Sequence, residues 1–229
     1  MPRTVLAALA ICACAALAAG QAPASQPRAF VGVIDNPWLP FRPGTVWVYR
    51  GVKDGKPARD VVRVTNATRV IDGVRCTAVS DRLSLRGKLA ERTTDWYAQD
   101  SRGNVWYFGE ATAELDTSGH VKSTEGSWRA GVDGGKAGIV MPAHPRVGYS
   151  ARQEYYKGHA EDHFEVLSIS AFVRVPYVAS KHALLTKEWT PLEPDALDHK
   201  VYVRGIGMVK EQTVKGGDER SVLVSFRRG

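Results

Sequence analysis

Apolar positions along this chain recur at short intervals and never at helical spacing. Past the first two dozen residues, no segment sustains a 3.6-residue period over three turns. Short runs rich in Val, Tyr, Trp and Thr recur instead, divided by Gly and Asp. The pattern predicts strands over 45–50, 59–71, 74–85, 88–99 and 104–110, with turns at Asp72-Gly73, Arg86-Gly87 and Ser101-Arg102-Gly103. It continues over 121–129, 149–156, 163–169, 172–175, 182–189, 200–204, 208–214 and 220–226. A Gly-rich loop is expected at 131–138, one helical turn near 192–197, and a last turn at Gly216-Gly217-Asp218. Asp-Gly between strands suits the positive φ angles of tight hairpins. Consecutive strands joined this way pair antiparallel. The expected fold is all-β: a single antiparallel meander of about a dozen strands, forming a curved sheet, half-barrel or barrel.

The first segment differs from the rest. Residues 1–24 read as a secretory signal peptide, with Arg3 as the positive end and an unbroken apolar run over 5–19. That run is shorter than the roughly 20 residues a spanning helix needs. Small-residue cleavage sites follow at Ala16-Leu17-Ala18 and at Ala22-Pro23-Ala24, and the latter sets the expected cut. One β domain over 25–229 remains, and the protein is expected to be secreted or periplasmic.

Composition then narrows the classes. At 44% hydrophobic and 24% charged, the 229-residue chain is neither disordered nor collagen-like nor a polytopic membrane protein. Cleavage removes Cys12 and Cys14, so Cys76 stands alone and no intrachain disulfide is expected. The formal charge of +7 falls to +6 with Arg3 gone. The excess is local: residues 53–92 carry ten basic and five acidic side chains. Such a stretch could make peripheral contact with an anionic surface. An exported protein is not expected to meet nucleic acid.

Candidate chemistry lies in three places. Around 155–165, Tyr155, Tyr156, His159, Glu161, His163 and Glu165 cluster. If 159–165 is extended, His159, Glu161, His163 and Glu165 share one face, because strand side chains alternate. His159, Glu161 and His163 are then candidate ligands for a divalent metal such as zinc. Alternate side chains on one strand sit nearly 7 Å apart, so a mononuclear site would need a bend or a hairpin. A loop rich in Pro and carboxylates adds Glu188 and His199. Tyr155, Tyr156, His163, Glu188 and His199 are the candidates for hydrolase or lyase chemistry on a polysaccharide. Trp38, Trp96, Trp106 and Trp189 are the candidate ligand-binding aromatics, suited to stacking on an apolar or planar ligand. No phosphate loop, dinucleotide fingerprint, Cys-x-x-Cys or haem motif occurs, and nothing points to a cofactor.

Three segments carry a resemblance: 35–50 (DNPWLPFRPGTVWVYR), 95–110 (DWYAQDSRGNVWYFGE) and 205–211 (GIGMVKE). They resemble an uncharacterised family of secreted bacterial antiparallel-β proteins, distantly similar to periplasmic half-barrels that carry lipids or lipoproteins. The resemblance implies a secreted antiparallel fold and transfers no catalytic residue. The leading expectation is a non-catalytic binding protein that holds an apolar or amphipathic, lipid-like ligand in a curved sheet. The alternatives are a polysaccharide-active enzyme and a metal-binding protein.

Overall fold

The computed structural model describes residues 29–229; the expected leader over 1–24 lies outside the described residues. The chain forms β1 (Phe30–Val31), β2 (Val46–Lys53), β3 (Lys56–Ile71), β4 (Val74–Leu85), β5 (Lys88–Asp100) and β6 (Val105–Leu115). There follow β7 (Val121–Ser123), β8 (Trp128–Arg129), β9 (Lys136–Met141), β10 (Ser150–Arg152) and β11 (Glu154–Tyr155). The last five are β12 (His163–Arg174), β13 (Ala179–Trp189), β14 (Leu197–Val203), β15 (Gly207–Lys215) and β16 (Arg220–Arg227). All pairings are antiparallel. The sheet runs β12-β13-β14-β15-β16-β2-β3-β4-β5-β6-β9, with β10 and β11 at its two ends. It curls into a nearly closed barrel.

Local chemistry explains the hairpins. At three turns the two central residues both have positive φ: Asp54 with Gly55, Asp72 with Gly73, and Arg86 with Gly87. That is the two-residue turn whose twist matches the strands it joins. The expected strand over 74–85 is β4 itself, and the strands expected at 163–169 and 172–175 are one strand, β12, with irregular register. The helical turn expected near 192–197 is a pair of ordinary turns leading into β14.

The expected Gly-rich loop forms a turn over 131–135, but its last three residues belong to an unexpected strand, β9. Gly138 explains it. A Cβ there would sit 2.3 Å from the carbonyl oxygen of Arg152. The glycine is therefore a site of close backbone approach inside a strand, and not a loop residue. The segment that approaches it holds the barrel together. Residues of β10 pair with β12, with Arg152 opposite His163, and residues of β11 pair with β9, with Glu154 opposite Ala137. Only the buried Gln153 separates the two. One short stretch of chain thus caps both ends of the sheet.

The core has two parts. One lies inside the barrel and draws on strands all round the wall: Trp47, Val64, Val79, Val105, Phe164, Leu184, Val209 and Leu223. The other lies on the outer face of β4, β5 and β6, where Cys76, Ala78, Trp96, Ala98, Trp106 and Phe108 pack with Phe30. The Cys76 thiol is buried there, which pushes it up to about 12 and leaves it inert as a nucleophile.

The proline-rich segment 35–44 closes one end of the barrel. Trp38 and Phe41 enter the inner core, and the Phe41 ring meets Trp47 and Tyr97 edge-on. Asn36, 2% exposed, fixes the segment. Its side-chain amide donates to the carbonyls of Gly103 and Pro142, its Oδ1 accepts from the Trp38 N–H, and its own N–H donates to Gln99. Gly205 N–H donates to the Pro37 carbonyl. These partners all lie at turns on one end of the barrel, so the segment is a stopper. The Asn36→Ala variant strands buried partners at several points and should cost about 2–3 kcal/mol, since each orphaned group costs about 1–3 kcal/mol. Urea unfolding followed by tryptophan fluorescence measures this; a loss under half that size would show that the stopper holds by apolar packing alone.

Candidate functional site

Side-chain alternation puts a polar wall inside the barrel, between the apolar core and the open end. Tyr49, Asp60, Asp81, Glu91, Asp95, Tyr97, Tyr107 and Glu110 come from β2 to β6. Glu188, Lys200, Tyr202 and Glu211 come from β13, β14 and β15. Cross-strand register brings them face to face: Tyr49 opposite Asp60, Asp95 opposite Glu110, Tyr97 opposite Tyr107, and Lys200 opposite Glu211. The Tyr97 and Tyr107 rings stack at 4.9 Å, and the Tyr107 hydroxyl donates to Asp95 Oδ1 at 2.7 Å. Trp128 Nε1 donates to Glu154 Oε2 at 2.7 Å. Lys200 Nζ lies 2.8 Å from Glu188 and 3.4 Å from Glu211.

This wall is short of positive charge, and the acids respond by holding protons. Burial raises Asp95 to about 7, although the bond from Tyr107 pulls the other way. Burial and the facing Asp95 raise Glu110 to about 9. Burial and nearby Asp162 raise Glu154 to about 8. Burial and the adjoining Asp60 hold Asp81 well above the carboxylate range. Burial works against the charge on Lys200, but Glu188 and Glu211 outweigh it and hold the ammonium protonated.

The sequence-derived candidates scatter around this wall. The chain at 156–160 is a tight turn, with Tyr156 bridged to Ala160 and Gly158 at φ 76°, so the extended face expected over 159–165 does not form. His159 stacks on Tyr156 at 4.5 Å, and Glu161 accepts from the Gly158 N–H. His163 begins β12 and stacks on Trp189 at 5.6 Å, with its Nδ1 2.8 Å from the Glu161 carbonyl. Among the described residues, no group of three or more His, Cys, Asp or Glu is arranged to hold a metal ion.

The enzyme candidates do not converge either. Tyr155 lies on β11 under the guanidinium of Arg152. His199 faces Lys187 across β13 and β14, on the outer side with His163 and Glu165, while Glu188 points inward to Lys200. Of the four tryptophans, Trp38 belongs to the stopper and Trp189 to the outer surface of β13. Trp96 and Trp106 share the outer cluster, where Arg69 lies 4.9 Å over Trp96 and the Trp106 indole donates to Asp100. Trp96 and Tyr156 line one cleft, of about 480 Å³, together with Trp128, Arg69 and Arg129. The Trp96 and Trp128 rings are already buried, so it offers little stacking surface.

Two other spaces lie toward the open end. A cavity of about 140 Å³ is lined by the acidic wall at Tyr49, Asp60, Asp81, Glu91 and Glu211. A groove of about 450 Å³ runs along the hairpin tips, floored by Leu85, Leu89, Ala90 and Leu115 and edged by Lys56, Arg86 and Lys88. Apart from Glu188, the acidic wall is not among the residues that the sequence pattern singles out. Its signal was present: Asp60 alternates with Val62 and Val64, and Asp95 with Tyr97, so these acids share a face with core positions.

No protein-family model and no curated protein matches the chain. Among solved structures it is similar to a Bacteroides fragilis protein assigned as exported and YmcC-like in fold. Identity there is 16% and the TM-score 0.49, over 83% of this chain and 99% of that one. It is also similar to a Parabacteroides distasonis protein assigned as a lipoprotein, at 10% identity and a TM-score of 0.42 over 84% and 99%.

The raised acids fix how stability depends on pH. Asp95, Glu154 and Glu110 hold protons up to about 7, 8 and 9 when folded, whereas unfolded carboxyls release them near 4. The folded state therefore binds more protons across that window, and stability falls as pH rises through it. The fall should level off above about 9, where Glu110 has ionised. Urea midpoints from pH 5 to pH 10 test this, and Glu110→Gln should flatten the alkaline part. A midpoint that rises over this range would contradict the buried protonated wall.

Proposed function

We propose that this protein is an exported, non-catalytic binding protein that holds an anionic amphiphile in the groove at the open end of the barrel. The observation that carries the reading is the groove's composition. Three leucines and an alanine form its floor, and Lys56, Arg86 and Lys88 stand at its edge. Its one acid, Asp116, is occupied by its own turn: Oδ1 accepts the N–H groups of Ser118 and His120, and Oδ2 lies 3.6 Å from the His120 ring. The edge is therefore cationic where an anionic headgroup would sit. A groove of this size lies within the range of small-ligand sites, and apolar burial supplies the affinity while the cations orient the ligand.

Two further features support it. The leader over 1–24 favours export, and the groove lies within the basic stretch 53–92 and the tip of the next hairpin. The apolar part of the barrel interior is filled by side chains from all round the wall and by the stopper. This packing supports the mouth rather than the core as the place for an amphipathic ligand.

Titration calorimetry with dodecanoate below its micelle concentration should show saturable binding at one site. Leu89→Asp should weaken it about tenfold or more, the equivalent of about 1.4 kcal/mol. The double variant Arg86→Glu, Lys88→Glu should weaken dodecanoate but spare dodecanol. Dodecanoate affinity unchanged by both variants would refute the groove as the site.

A further inference from the structure

The β12–β13 hairpin leaves the barrel wall at the stopper end. Its register shifts three times between Val166 and Val173. Its tip then reaches β16, three strands further round the sheet. There the Tyr177 N–H donates to the Leu223 carbonyl at 3.3 Å, and the Tyr177 ring meets Phe226 edge-on at 5.9 Å. Val173 and Val175 enter the inner core, and Val178 packs against it. The hairpin is thus an arm folded across the closed end, beside the stopper.

Folding accounts for the inner face of this arm and not for the outer one. Phe172 is 63% exposed, Ile169 47% and Tyr177 42%. Side chains alternate along a strand, so Phe172 and Arg174 point outward where Val173 and Val175 point in. Ala171 pairs with Ala183 and Val173 with Ser180, so Lys181 and His182 both lie across from Phe172. That is a bulge, a device that bends a strand and re-aims its side chains. Both of those residues are exposed.

The charge around these rings has one sign. From 166 to 187 the chain holds no Asp or Glu. The adjoining turns at the same end add Arg42, Arg204 and Arg228, all exposed. Hydrogen bonds tie these turns together: Gly205 N–H to the Pro37 carbonyl, Arg228 to the Gly205 carbonyl, and Gly229 N–H to Thr45. Among the described residues, none of Arg42, Arg174, Lys181, Arg204 and Arg228 forms an ion pair. Asp35, at the edge of this face, accepts from the Gln99 side chain at 2.7 Å.

Exposed apolar rings among free cations, with acids absent, are the composition of a surface that meets an anionic bilayer. A soluble anion would use the cations and leave Ile169 and Phe172 facing water. We propose that this arm docks the protein on an anionic phospholipid membrane, with Ile169, Phe172 and Tyr177 entering the headgroup region and Arg174 and Lys181 held by the phosphates. The surface is independent of the leucine groove. Phe226, beneath Tyr177, pairs with Trp47 at the start of β2, whereas the groove begins at Lys56, past the other end of that strand.

The test is co-sedimentation of the full mature chain with vesicles of phosphatidylcholine, alone or with a quarter phosphatidylglycerol. The protein should sediment with the anionic vesicles and not with the neutral ones, and added salt should release it. Phe172→Ser should weaken binding about tenfold or more, with Tm unchanged because the ring faces outward. The double variant Arg174→Glu, Lys181→Glu should abolish binding. Val121→Ser, a half-exposed valine on β7, and Leu89→Asp, in the groove, should each leave it unchanged. Emission from Phe172→Trp should shift to the blue when anionic vesicles are added. Absence of sedimentation, equal sedimentation with neutral vesicles, or full affinity in Phe172→Ser would overturn the proposal. Loss of binding in Leu89→Asp alone would place the contact at the groove and overturn it as well. Dimerisation that depends on Phe172, without vesicle binding, would overturn lipid as the occupant.

Discussion

A curled antiparallel sheet has two raw edges, and this structure depends on how a single short segment satisfies both. Without residues 150–155, the outer hydrogen-bonding rows of β12 and of β9 would face water or another chain. Such edges invite aggregation. The chain avoids this by running one stretch of backbone along β12 and then, one buried residue later, along β9. Gly138 is what lets that stretch come close, since any side chain there would collide with the Arg152 carbonyl. Closure in turn creates an inside. The apolar core, the stopper and the acidic wall are all consequences of a sheet that has nowhere else to put its second face.

The inside is divided along the barrel axis, and the division follows the stopper. At the closed end, the Asn36 side chain and N–H are all hydrogen-bonded, and aromatic and aliphatic side chains fill the space. Toward the open end the same strands switch to Tyr, Asp and Glu. Ionised carboxyls in that position would be costly, so Asp81, Asp95 and Glu110 hold their protons, while Glu188 and Glu211 are matched by the partly buried Lys200. A well-packed apolar interior would be the simpler solution for stability. The polar half is therefore a departure from what folding alone favours, and such departures are where binding chemistry is to be sought.

Much of the fold was legible because hairpin chemistry is local. Asp72-Gly73 and Arg86-Gly87 announce their turns, and the β4 run between them has the right period and length. What failed was non-local. Gly138 looks like loop material until its partner strand is known. The turn at 156–160 looks like a strand because its residues alternate in polarity, yet Gly158 adopts a positive φ and turns the chain. The histidine cluster was visible because His is rare in the sequence, but rarity is no measure of convergence. The acidic wall went unseen for the opposite reason. Its residues are common types spread over eight strands, and only the register of the closed barrel brings them together. Alternation with Val62, Val64 and Tyr97 was the single clue that these acids point inward.

The open end then gathers two opposed chemistries within a few residues of each other. On β3, Lys56 edges the groove while Ala58 and Asp60 line the cavity; on β4, Leu85 floors the groove while Leu83 and Asp81 line the cavity. This arrangement follows from hairpin geometry. The strand tips project past the barrel, where leucines have no core to enter and basic side chains reach solvent freely. One or two pairs deeper, side chains are enclosed and acids can be held protonated. The +7 formal charge of the chain is thus a poor guide to what it attracts. At these hairpins Lys56, Arg86 and Lys88 edge the groove, and Asp60 and Asp81 lie one or two pairs deeper.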